Sequence, residues 1–244
     1  MITGYKDIYE FLESDKPKLD YQREKCLPLI RKEFMRDNIF PNYKYVSYSP
    51  SSGNEYLIVY YAANLYQVDN PFVRYCALLW RDDDRKYRYV ITWLKGEYRH
   101  TPKQCFKITP IIYAITDHFF EQYQNRFLKD NNLTSDEVVC RFLMRNPVYT
   151  PIEINEKVNR NIKKKASNYD RGFSVNDGMC FTRYFMDVED NDDDIDGNEN
   201  IKALAFVFTT YYNPQDMPEE QKDAIEIEED KSWELYCKKL LGNI

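Results

Sequence analysis

Glycine is scarce in this sequence, with 7 in 244 residues, and none falls in a GxGxxG or GxxxxGK[ST] pattern. Nucleotide-binding enzymes of those classes are thereby effectively excluded, because their loops need glycine to let the backbone approach a phosphate. No GxSxG elbow is present either. The six cysteines, Cys26, Cys76, Cys105, Cys140, Cys180 and Cys237, are scattered without a C-x-x-C pair, which argues against a zinc site built on cysteine spacing. Positive charge is in deficit: the formal net charge is −6 and the isoelectric point about 5.2. That balance argues against a broad nucleic-acid-binding surface and leaves room only for a small basic pocket. The longest apolar run, Ala203–Phe208, is far too short to span a bilayer. The opening MITGYKDIYEFLESDK is charged throughout and has no apolar h-region, so no signal peptide is expected. A cytoplasmic protein with reduced, mostly buried thiols and no membrane partner is the expectation. Cys140, among Val138, Val139, Phe142 and Leu143, suits packing.

What the chain has in excess is aromatic rings, 22 Tyr and 14 Phe. Tyrosine fits a half-buried pleated surface, ring packed and hydroxyl wet, so the composition leans toward β structure. A helix is predicted over residues 5–13, and a second from about Asp20 to Arg36 that starts or kinks at Pro28. A meander follows: Tyr43–Ser49, a turn at Pro50–Asn54, Glu55–Ala63, Phe72–Trp80 and Lys86–Leu94, the last with Tyr87, Tyr89, Ile91 and Trp93 on one face. Residues 95–106 read as a loop and 108–115 as a short apolar piece. Two helices come next, the second opened by a capping box at Thr134–Glu137. A polar helix is expected at Glu153–Lys165, and a hairpin at Gly172–Asp187 turning on Asn176-Asp177-Gly178. A strand at Ile201–Tyr212 and a charged helix at Pro218–Leu241 complete the reading. The predicted class is α+β, an antiparallel twisted sheet packed by central helices, as one domain over residues 1–244. Any boundary is placed in 95–106, between helices plus meander and the remainder.

One stretch carries a chemical lead, TDHFFEQYQNRF from Thr116 to Phe127. At about 100° per residue, Phe119, Phe120, Tyr123 and Phe127 share the core face, opposite His118. His118, Gln122, Asn125 and Lys129 share the polar face, and Arg126 lies at the border, about 80° from His118. On the next helix Glu137, Arg141 and Arg145 stack at i, i+4 and i+8, with the favourable acid-before-base order. A solvated charged face accounts for that stack without any function.

The T-x-H-x-x-x-[RQ]-Y-x-x-R-F helix, followed by a helix, a hairpin and a strand ending in F-x-T, resembles small toxin-type ribonucleases of the barnase, colicin and RelE-like group. The matching residues are His118, Tyr123, Arg126 and Phe127, then Thr209 and Thr210. The likeness spans roughly residues 108–212, under half the chain. It implies metal-independent RNA cleavage with His118 as acid or base and Arg126 holding phosphate. Arg141, Arg145, Thr209 and Thr210 would be further substrate contacts, with no cofactor and no metal. Position 122 is Gln where that pattern often has Arg, which thins the positive charge. The whole chain also resembles uncharacterised proteins of gut Bacteroides and their relatives.

Other constellations fit less well. His100 and His118 lack H-x-x-x-H spacing for a metal. The acidic run has Asp192, Asp194, Asp196 and Gly197 where a calcium loop has its first ligands, but the twelfth position, where a bidentate Glu belongs, is Ala203. NRNIKKK (Asn159–Lys165) is a basic patch able to meet RNA or an acidic partner. Two functional readings from different classes remain: the ribonuclease, and a non-enzymatic binding module presenting its tyrosine-rich sheet to an RNA or protein partner.

Overall fold

Two prolines fall inside the first helix, and the helix runs through both. In the computed structural model, which describes residues 4–80, 87–98, 107–154, 170–188 and 201–240, α1 spans Tyr5–Asp37 without a break at Pro17 or Pro28. This corrects the expectation of two helices. Each internal proline removes an N–H and costs about 3 kcal/mol. Leu12, Leu19, Ile30 and Phe34 are each at most 2% exposed, and burying a side chain of that size contributes about 1.5–3 kcal/mol. Packing therefore outweighs local propensity. The helix stops where Asn38 turns left-handed (φ 46°) and its N–H reaches Phe34 O at 2.9 Å.

Two compact units divide the chain, Met1–Asp117 with Phe185–Phe206, and His118–Tyr184 with Val207–Ile244. The first contains α1 and the strands β1 (Asn42–Tyr48), β2 (Glu55–Ala62), β3 (Phe72–Trp80), β4 (Arg88–Tyr98) and β5 (Lys107–Thr116). They lie side by side in that order, each antiparallel to the next. The meander expected from alternation is thus present, with one difference. β4 takes in residues 95–98, which read as loop. Gly96 lies within the strand opposite Thr109, and the terminal methyl groups of Ile111 and Leu94 occupy the space beside it.

Three tyrosines of this sheet, Tyr56, Tyr60 and Tyr75, face the helix. Tyr56 and Tyr60 are at most 1% exposed, with hydroxyls donating to Asp15 and to the Arg23 carbonyl. Tyr75 donates to Asp20, and Trp93 Nε1 to Glu13 at 2.8 Å. These four rings form the seat of α1.

The second unit contains most of α2 (Asp117–Tyr123), a π-helical turn at Gln124–Leu128, α3 (Ser135–Arg145), β6 (Thr150–Ile152), β7 (Asp170–Val175) and α4 (Glu219–Leu240). Two long strands, β8 (Gly178–Val188) and β9 (Ile201–Tyr212), contribute residues to both units. The strand order here is β9-β8-β7-β6, with β6–β7 and β7–β8 antiparallel. The hairpin turns on Asn176-Asp177, as the sequence suggests. β6 was not anticipated, being too short to show alternation. Phe119, Tyr123, Phe142, Phe208 and Tyr211, each at most 2% exposed, interlock edge to face, with ring centroids 5.0–5.9 Å apart from Phe119–Phe142 to Phe119–Tyr211. Cys76, Cys140 and Cys180 are buried and not disulfide-bonded. His100, Cys105, the calcium-like run at 192–197 and the NRNIKKK patch lie outside the described residues, as does all but the start of the polar helix expected at 153–165. None of the described helices is long and apolar enough to cross a membrane.

The capping box of α3 is fully formed. Glu137 N–H donates to Thr134 Oγ1 at 3.3 Å, and Thr134 N–H donates to Glu137 Oε2 at 2.8 Å. Thr134→Ala is expected to cost about 1 kcal/mol in thermal unfolding, and Thr134→Ser to cost little, because serine keeps the acceptor.

Candidate functional site

His118 opens the second unit on the exposed side of α2, its side chain 68% accessible. Its Nε2 lies 2.6 Å from Gln122 Nε2. Gln122 Oε1 accepts from the Tyr211 N–H at 2.9 Å, which leaves the amide NH2 for the histidine. The imidazole Nε2 therefore faces a donor, and Nδ1 lies 3.5 Å from Glu121 Oε2.

Arg126 goes elsewhere. The helix widens into its π-helical turn, where Lys129 N–H donates to Gln124 O at 2.8 Å. Five residues per hydrogen bond instead of four moves Arg126 off the position an ideal helix assigns it. Its Nη1 donates to the Tyr211 carbonyl at 2.6 Å, and its guanidinium stands 5.5 Å over the Tyr212 ring. Asn213 Nδ2 closes the contact by donating to the Arg126 carbonyl at 2.7 Å. Gln122 and Arg126 thus stitch one helix edge to both backbone polar atoms of Tyr211 on β9.

The three residues expected to stack on α3 are separately engaged. Glu137 belongs to the capping box, and Arg141 Nη1 stands 3.9 Å from Asp130 Oδ2. Arg145 makes a bidentate pair with Asp177, Nε to Oδ2 and Nη2 to Oδ1, both at 2.8 Å, while stacking 5.1 Å over Phe127. Thr209 donates to the Phe181 carbonyl at 3.3 Å, and Thr210 is its half-buried neighbour on β9. Successive strand residues point to opposite faces, so the two threonines do not converge on one phosphate.

Asp177 is the residue that local reading passed over, taken only as part of a turn. It is 4% exposed. Besides Arg145, its carboxylate accepts from Tyr123 Oη at 2.6 Å and Asn146 Nδ2 at 3.1 Å. Its N–H donates to Asn146 Oδ1 at 2.9 Å, and its carbonyl takes the Tyr211 hydroxyl. Burial first, and the neighbouring carboxylate second, push the Tyr123 and Tyr211 phenols well above the ordinary tyrosine range. Both rings stay neutral donors. Tyr211 therefore joins the two groups of residues, its backbone taking Gln122 and Arg126 and its hydroxyl the Asp177 turn.

A groove of about 690 Å3 opens on the same unit, between one face of α4 and the end of the β6–β7–β8 hairpins. Its floor is apolar, with Val175, Met179, Met217 and Ile225 all under 10% exposed. Met179, Met217 and Ile225 belong to the cluster that seats α4, with Ile152, Phe181 and Ala224. One wall is the helix line Lys222, Glu226, Glu229 and Trp233, and the other is Val148, Thr150 and Ser174. Ser232 Oγ donates to the Pro151 carbonyl at 2.5 Å and pins the wall in place. No group of three His, Cys, Asp or Glu side chains able to hold a metal occurs among the described residues. Neither the family models, nor the curated proteins, nor the solved structures contain a match to this chain.

Proposed function

We propose that the chain is a non-enzymatic binding module that captures a segment of a partner protein in the groove beside α4. The observation that carries this reading is the groove itself, which is formed, open and apolar at its base. Such concave apolar sites with a few polar groups at the rim are where ligands bind. The competing ribonuclease reading needs free cations around an acid–base histidine. Arg145 is instead paired with Asp177, Arg126 gives its Nη1 donor to the Tyr211 carbonyl and lies over the Tyr212 ring, and a carboxylate, Glu121, flanks His118.

Selection from a random peptide library displayed against the full chain tests this. Enriched peptides are expected to bind the wild type at least tenfold more tightly than Ser174→Trp, whose indole fills the groove. No enrichment, or equal binding by that variant, sinks the reading. A mixed-sequence RNA incubated with excess protein is expected to stay intact, whereas cleavage that disappears in His118→Ala establishes the nuclease in its place.

A further inference from the structure

Glu226 and Glu229 stand in the groove wall one turn apart on α4, and neither is paired with a cation among the described residues. The one lysine in that wall, Lys222, is 3.0 Å from Glu219 and already neutralised. Between Glu219 and Lys231 the helix carries seven acidic residues and two lysines. A groove with an apolar floor and an anionic wall selects a ligand of alternating character. From Lys222 to Trp233 the wall extends about 16 Å at 1.5 Å per residue, the length of about five residues of extended peptide. In such a peptide successive side chains point opposite ways. One set can rest on Val175, Met179 and Met217 while the other reaches the carboxylates. We infer that the groove takes an extended segment of a partner protein in which Lys or Arg alternates with large apolar side chains. This deepens the binding-module reading and rests on it.

Three details sharpen the inference. β6 is the end strand of its order, yet it is a poor template for adding a strand, because Pro151 has no N–H and its carbonyl is held by Ser232. Docking is therefore by side chains. The floor contains two methionines, whose unbranched thioethers adapt to Leu, Met, Phe or Trp alike. The apolar positions of the ligand are thus degenerate and its charge is the discriminated feature. Trp233, 57% exposed at one end of the wall, offers an indole face to a terminal cation. A phosphate backbone meets the wrong sign here.

The test uses the full chain with 13C-methyl methionine and four fluorescent probes: the heptapeptides KLKFKLK, ELEFELE and KSKSKSK, and a U10 RNA. KLKFKLK is expected to bind at least tenfold more tightly than the other three and to weaken with added salt. It should shift the methyl signals of Met179 and Met217 while leaving Met35 unmoved. The double variant Glu226→Lys with Glu229→Lys, whose sites are surface positions on α4, is expected to lose that binding tenfold and to prefer ELEFELE. The inference is overturned if ELEFELE or the RNA binds the wild type as well as KLKFKLK, or if the double variant binds unchanged. Movement of Met179 and Met217 with protein concentration alone, without peptide, overturns it in favour of a second copy of the chain. If the library enriches neutral or acidic peptides that shift Met179 and Met217, the charge assignment falls and the binding module stands; if nothing shifts them, both fall.

Discussion

Asp177→Ala is expected to destabilise the second unit by about 3 kcal/mol. The carboxylate is buried and accepts from three side chains, Tyr123, Arg145 and Asn146. Removing one partner of a buried ion pair costs about 3–5 kcal/mol when the other charge is trapped. Arg145 is 53% exposed and can turn to water, so the loss sits at the lower end of that range. The Tyr123 hydroxyl cannot do so, and an unsatisfied buried donor costs about 1–3 kcal/mol by itself. At 2–4 °C per kcal/mol for a chain of this size, the expected fall in Tm is about 6–12 °C.

The pattern of related variants separates a hub from a simple ion pair. Asp177→Asn keeps the shape but turns an NH2 toward donors, and it is expected to lose most of what alanine loses. Tyr123→Phe removes one donor and leaves the pair, so about 1 kcal/mol is expected. Arg145→Lys keeps the charge while losing the fork and the stacking over Phe127. A double cycle of Asp177→Ala with Arg145→Ala is expected to be strongly non-additive. Additive losses, or an alanine variant at position 177 that melts with the wild type, contradict the hub.

How much of this was written locally differs from element to element. β3 and β9 match their expected limits, Phe72–Trp80 and Ile201–Tyr212, because turn residues and a change of polarity bound a β-rich run on both sides. The α3 start was legible because a capping box is a local chemical contract over four residues. α1 was misread because proline is a local signal and the compensating burial of Leu12, Leu19, Ile30 and Phe34 is not. The exposure of His118 followed from helical spacing, but the commitments of Arg126 did not, since they depend on a π-helical turn and on a strand 85 residues away. The Asp177 hub draws on α2, α3 and a hairpin loop, and no spacing rule joins Tyr123, Arg145, Asn146 and Asp177. A sharper local clue did exist, an Arg-Asn pair closing a helix above an Asn-Asp-Gly turn, but it names no partner. The groove was equally hidden: β6 is too short to see, and the acidic face of α4 reads as an ordinary solvated helix until an apolar floor is found beside it.

In the first unit the corresponding anchor is Asp15, and its removal should be strongly dependent on pH. The side chain is 1% exposed, and its carboxylate accepts from Ser52 Oγ at 2.5 Å and from Lys18 Nζ, Asn54 Nδ2 and Tyr56 Oη, each at 2.9 Å. Burial alone raises the pKa; the hydrogen bonds from Ser52, Lys18, Asn54 and Tyr56 outweigh it and bring it down to about 2. An unfolded aspartate titrates near 3.9. The folded state therefore holds its proton less tightly, and the stabilisation is complete above pH of about 4 and lost as pH falls through about 2. A depression of that size is worth about 2–3 kcal/mol at neutral pH. Asp15→Asn keeps the volume and should be less stable than the wild type by about that amount at pH 7. Between pH 4 and pH 2 the gap is expected to close, because the wild type loses what the variant never had. Urea unfolding of both proteins across that range measures the difference directly, and other carboxylates cancel from it. A gap that stays constant with pH shows that Asp15 contributes packing alone. A gap that closes shows that α1 is held to the turn at Ser52 and Asn54 by charge as well as by its buried leucines.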